Sequence, residues 1–243
     1  MMSCWVRSLN LFLVLSFFTP LLAQGPRVDS IYKPKGELID RIHAISINVS
    51  SEPFIVGEFD SLLVLENFVL SGYGMSDIFV AGLEHSMEAE FWAIRAGGPG
   101  PDVGYDVSST GSSVYGTGIF TGNATFGNVP ITGEPDIPNP FIAEYDGYDG
   151  ALSWVASPEK QRGVASALGV VNDDRGGATI VGYFHESINF GKGNLKNLSD
   201  SGSDIFVVNF DGGGNTRWAL LLGGTGDDIG RKITRDENND IYI

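Results

Sequence analysis

Trp92-Ala93-Ile94-Arg95-Ala96-Gly97-Gly98-Pro99-Gly100-Pro101-Asp102-Val103-Gly104 returns further along the chain as Trp218-Ala219-Leu220-Leu221-Leu222-Gly223-Gly224-Thr225-Gly226-Asp227-Asp228-Ile229-Gly230, with seven identities in one register. Trp154 stands between them, 62 residues after Trp92 and 64 before Trp218, so the chain repeats with a period near 63. A fixed period of this size is the mark of a repeat architecture. Phe79-Val80-Ala81, Phe141-Ile142-Ala143 and Phe206-Val207-Val208 keep the spacing, as do Gly57-Glu58-Phe59, Gly118-Ile119-Phe120 and Gly182-Tyr183-Phe184. Six residues beyond the last Phe of each come Leu65, Phe126 and Phe190. The middle copy departs after Trp154, where Ser157-Pro158-Glu159-Lys160 replaces the Gly-Gly turn, which predicts a connection of different shape.

Within one period every local signal is β. Ala44 to Val49 alternates apolar and polar residues at the strand period. In the second copy four strands are expected, over Tyr105 to Ser108, Ser113 to Phe120, Phe141 to Tyr145 and Ala151 to Ala156. Asp146 to Gly150 and Asp211 to Asn215 are expected as hairpin turns, because Gly, Asn and Asp accept the positive φ of short antiparallel loops. No amphipathic helix is visible. Four short antiparallel strands per period predict an all-β fold, a β-propeller of four-stranded blades, with a β-solenoid as the weaker alternative.

The same residues resemble the SBBP-type β-propeller repeats of exported and surface proteins of bacteria. The likeness rests on Ser76-Asp77-Ile78-Phe79-Val80-Ala81, Ser203-Asp204-Ile205-Phe206-Val207-Val208, the Trp-Ala to Gly-Gly-x-Gly-x-Asp-x-Gly run, and Asn239-Asp240-Ile241-Tyr242-Ile243, and covers about residues 36 to 243. It implies fold, export and a surface role, and no reaction. Repeats are expected over about 36–98, 99–160, 161–224 and, shortened, 225–243. Residues 24 to 243 divided by the period give about 3.5 blades, fewer than the 4 to 8 that close a ring, so remaining blades are expected in further C-terminal chain.

Composition sets the compartment and the excluded partners. With 15 Lys and Arg against 30 Asp and Glu the net charge is 15 − 30 = −15, which argues against nucleic acid and anionic membrane surfaces. Residues 1–23 read as a signal peptide: Arg7, an apolar run from Leu9 to Phe18 too short to span a bilayer, then Pro20 and a cleavage site after Ala23. Residues 24–35 are a lead-in, and no later stretch is apolar enough for a transmembrane span. Cys4, the single cysteine, lies in the leader, which leaves the mature chain without a thiol ligand or disulfide. The expected location is secreted or at the cell surface.

Chemistry is the least legible layer. Trp92, Trp154 and Trp218 faintly resemble the tryptophan-docking repeats of quinoprotein dehydrogenases, but large apolar plates packed between blades explain them more simply. Phe79, Phe141, Phe206, Gly98, Gly224, Asp102 and Asp228 read as structural repeat positions, with Asp102 bonding the Gly-rich turn. Asp236, Asn238 and Asp240 have the alternating spacing of a calcium loop, yet Ile241 stands where its glycine belongs, so a plain hairpin is the better reading. His43, His85 and His185 sit at non-equivalent positions with no zinc-ligand spacing. No nucleophile elbow or phosphate loop is present, and carboxylate pairs for glycoside hydrolysis are merely permitted by 30 acids. The expectation is a non-enzymatic module binding extracellular protein or glycan without a cofactor. A quinone-dependent oxidoreductase or glycan hydrolase, or an accessory domain of one, is the alternative.

Overall fold

The computed structural model describes residues 40–65, 68–83, 91–199 and 202–243. The leader and lead-in expected before residue 36, and His85, lie outside the described residues. Regular structure in the described part is all β, and it contains no helix long and apolar enough to cross a membrane.

Six strands occupy the first stretch: β1 (Asp40–Ile47), β2 (Pro53–Phe59), β3 (Leu62–Leu65), β4 (Phe68–Ser71), β5 (Asp77–Gly82) and β6 (Trp92–Gly97). β1, β2, β5 and β6 are antiparallel neighbours, while β3 and β4 form a hairpin thrown out between β2 and β5. The second stretch repeats the plan with β7 (Val103–Ser109), β8 (Ser113–Thr121), β9 (Asn123–Phe126), β10 (Val129–Thr132), β11 (Pro138–Asp146) and β12 (Leu152–Ala156), ordered β12-β11-β8-β7 in its sheet. After a short β13 (Lys160–Arg162), the third has β14 (Ala165–Asn172), β15 (Ala178–Phe184), β16 (Ser187–Asn189), β17 (Asn194–Lys196), β18 (Asp204–Phe210) and β19 (Thr216–Leu222), ordered β14-β15-β18-β19. β20 (Thr234–Arg235) and β21 (Ile241–Tyr242) form a last pair.

The outer hairpins β3–β4, β9–β10 and β16–β17 add two short strands to the four expected in each period. Their arms are only three or four residues long, and Pro130 sits in one of them, so alternation does not mark them, although Gly127-Asn128 and Gly191-Lys192-Gly193 turn two of the hairpins. The recurring Leu65, Phe126 and Phe190 are their buried anchors.

Glycine fixes the pleat of each sheet at one place. The first strand carries a bulge at His43, at Tyr105 and at Leu168, one in each sheet. The carbonyl two residues earlier, of Arg41, Val103 or Ser166, lies over Gly57, Gly118 or Gly182, where a Cβ atom would stand 1.9, 2.0 or 1.9 Å from that oxygen. Only glycine allows so close an approach of two backbones.

The cores lie between consecutive sheets. One joins Phe54, Val56, Val80 and Trp92 to Val107, Val114, Phe141 and Tyr145, and the next joins Tyr115 and Ile142 to Val170, Ile180, Phe206 and Phe210. β5 and β15 are therefore nearly or wholly buried along their length, as strands covered on both faces are, and they read as continuous apolar runs. Polar contacts tie the first strands together one period apart: Ser46 Oγ to Ser109 Oγ at 2.8 Å, Ser108 Oγ to Asn172 Oδ1 at 2.8 Å, and Val170 N–H to Asp106 Oδ2 at 3.0 Å. Outer hairpins reach backward as well. β9 pairs with β6 through Ala96 with Phe126 and Gly97 with Thr125, and β16 pairs with β13, which follows the last strand of the second sheet.

Candidate functional site

The repeated residues are placed as parts of the scaffold. Trp92 is buried and its Nε1–H donates to Gly147 O at 3.0 Å, in the β11–β12 turn of the next sheet. Trp154 does the same to Gly212 O at 3.1 Å in the β18–β19 turn. Under each indole lies a glycine of positive φ, Gly150 at 74° and Gly214 at 77°. Trp218 packs on the cluster of Val181, Val207 and Ile233, and among the described residues its Nε1–H has no acceptor. Phe79, Phe141 and Phe206 are buried in the third strand of each sheet. Gly98 is pressed against Asn123 O of the outer hairpin, 1.9 Å from where its Cβ would be, whereas Gly224 faces open space apart from Asp228.

Asp102 is fully buried and accepts the N–H groups of Gly98 and Thr121, so it closes the Gly-rich turn; Asp228 accepts Gly224 N–H at 2.8 Å in the same way. Burial pushes the Asp102 carboxyl up to about 7, against the pull of those two N–H donors, with nearby Asp77 adding to the rise. The folded protein thus holds this proton more tightly than the unfolded chain, where the group titrates near 3.8. The resulting stabilisation is complete below about pH 4 and is lost as pH rises through about 7. Asp102→Asn, which keeps a neutral acceptor, should flatten that part of the stability profile; thermal melts of both proteins between pH 4 and 8 that stay parallel would contradict the assignment.

The acidic turn at Asp236, Asn238 and Asp240, whose spacing is that of a calcium loop, is a capped hairpin. Asp236 Oδ1 accepts Asn238 N–H and Asp240 N–H, both at 2.9 Å, and these bonds hold its carboxyl below the ordinary value. Asp173 Oδ1, one period earlier, takes Arg175 N–H and Gly177 N–H, and Asn48 Oδ1 takes Ser50 N–H and Glu52 N–H. Among the described residues no group of three or more His, Cys, Asp or Glu is placed to hold a metal ion. His43 stands against Glu58 and the ring of Tyr105, which is half-buried, while Tyr148 is 65% exposed at a turn.

The irregular connection of the middle copy is where the structure opens. Instead of a Gly-Gly turn, Ser157 to Gly163 runs out as β13 and joins β16 and β17 in a small separate sheet. Register sets Arg162, Ser187 and Lys196 in one row across it, and Lys160, Asn189 and Asn194 two rows on, with Gln161, Ile188 and Leu195 between them. These rows border a groove of about 930 Å³ that Glu134 and Glu186 also line. Lys160 and Arg162 are exposed, and Gln161 between them is buried. Gln161 Nε2–H donates to Pro138 O and Gly163 O, leaving Gln161 Oε1 buried with no hydrogen-bond partner. Sequence reasoning flagged the altered connection but missed the groove, because the partner rows come from the unrecognised outer hairpin.

The family model of the SBBP beta-propeller repeat matches residues 217–243. This agrees with the resemblance read from the sequence. Among curated proteins none matches the chain.

Proposed function

We propose that the chain is an exported β-propeller module of four-stranded blades with a period near 63, about 3.5 of them, which recognises an extracellular protein or glycan and catalyses no reaction. One observation carries the reading. The sheets repeat their Trp, Gly and Phe positions, and the connection that departs from the repeat places its side chains on a polar groove. Scaffolds that hold a core constant and vary one loop do so to bind. No cofactor is assigned: the Trp residues act as packing plates, and the Asp236 carboxylate is occupied by its own turn. Nucleic acid is not a partner in this reading, given the net charge of −15.

The test is a panel of extracellular matrix proteins and oligosaccharides, with binding and turnover read on the same samples. Binding without product is expected. Sugar release, or reduction of a dye with an added quinone, would replace the module by an enzyme.

A further inference from the structure

Among the described residues Arg41, Arg95, Arg217, Lys232 and Arg235 each pair with a carboxylate. Lys160, Arg162 and Lys196, like Arg175, Lys192 and Arg231, have no carboxylate partner among the described residues, and the first three line the groove beside β13. With Glu134 and Glu186 the groove carries 3 − 2 = +1 within a chain of net −15. Unpaired cations concentrated on an otherwise anionic surface attract an anion from solution and orient it. Neighbouring strands lie about 4.8 Å apart and residues of one face about 7 Å apart along a strand, so the backbones bearing these cations are spread over roughly 10 Å. That spacing suits several anionic groups on one chain better than a single small ion.

Two further features narrow the ligand. The groove wall is built from charged, amide and hydroxyl side chains and glycine, with His185 as its one ring, so a peptide's apolar residues find only the methylene stems of polar side chains to pack on. Asn194 and Asn197 supply amides at the wall that bond hydroxyls in either direction.

We infer that the groove between the second and third sheets binds an acidic saccharide chain, its carboxylates or sulfates held by Lys160, Arg162 and Lys196 and its hydroxyls by the amides beside them. This rests on the module reading above and names the class of ligand.

The full chain is titrated by calorimetry with a uronate hexasaccharide, a sulfated galactan hexasaccharide and a neutral glucan of the same length. The acidic chains should bind about tenfold or more tighter than the glucan, and the difference should shrink as salt is raised. Lys160→Ala with Arg162→Ala should abolish the preference, while Arg231→Ala, an exposed cation elsewhere, leaves it. Whether uronate or sulfate binds better identifies the anionic group. Equal binding of neutral and acidic chains overturns the inference and leaves the module standing. Acidic binding undiminished in the double variant, with an unchanged circular dichroism spectrum, overturns the site. If no saccharide binds, the ligand class is wrong, and the protein arm of the earlier panel decides the module separately.

Discussion

Gly182→Ala should lower the melting temperature by about 10 °C, a large effect for a single methyl group. The added Cβ would stand 1.9 Å from Ser166 O and 2.7 Å from the Phe206 ring. A rotamer change relieves the ring but not the carbonyl, which the bulge at Leu168 holds over the glycine. β14 must therefore part from β15, at a cost of about 3 kcal/mol or more. Gly176→Ala is the control. Gly176 has φ of 71° and nothing within 4 Å of its Cβ position, so only backbone strain of about 1 kcal/mol is expected there. Equal losses in the two variants would show that backbone conformation, and not the close approach, sets the cost at Gly182.

Trp92→Ala should cost about 3–5 kcal/mol, because it empties a buried site between two sheets. The indole lies on Gly150 and beside Phe54, 6.1 Å between ring centres, and its N–H reaches Gly147 O. Trp92→Phe keeps most of the apolar area and loses that bond, for a smaller loss of about 1–2 kcal/mol. Trp218→Ala should cost least of the Trp to Ala series, since Trp218 is half-buried and its N–H is unbonded among the described residues. Denaturant melts of the three variants that show no such order would remove the inter-sheet role of Trp92.

How far the sequence could be read follows from how many residues each feature spans. The all-β character and the recurrence of Trp92, Trp154 and Trp218 involve many positions in one register, and they are plain. β11 begins at Pro138, three residues before the expected Phe141, because β12 pairs with it only from Ile142 onward, and prolines are tolerated where a strand is bonded on one side. The groove was out of reach for a different reason. Its charge is local to Lys160, Arg162 and Lys196, which lie up to 36 residues apart in a chain whose net charge has the opposite sign, and only the β13–β16–β17 register brings them side by side. Asp102 was legible as a turn residue, since it sits four residues from Gly98; its unusual affinity for a proton comes from burial that no spacing reveals.

The backward reach of the outer hairpins sets an order of assembly. β6 acquires β9 as its neighbour only after Asn123 to Phe126 have been made, and Trp92 finds Gly147 O 55 residues after itself. A chain emerging N-terminus first from a ribosome therefore completes its first sheet, and seats Trp92 and Trp154, with material from the next repeat. Until then it carries an uncovered indole and a half-satisfied strand edge at its growing front. Folding advances as a moving seam, and a pause in synthesis within any period leaves the preceding sheet as the vulnerable one, open to capture by a chaperone or a protease.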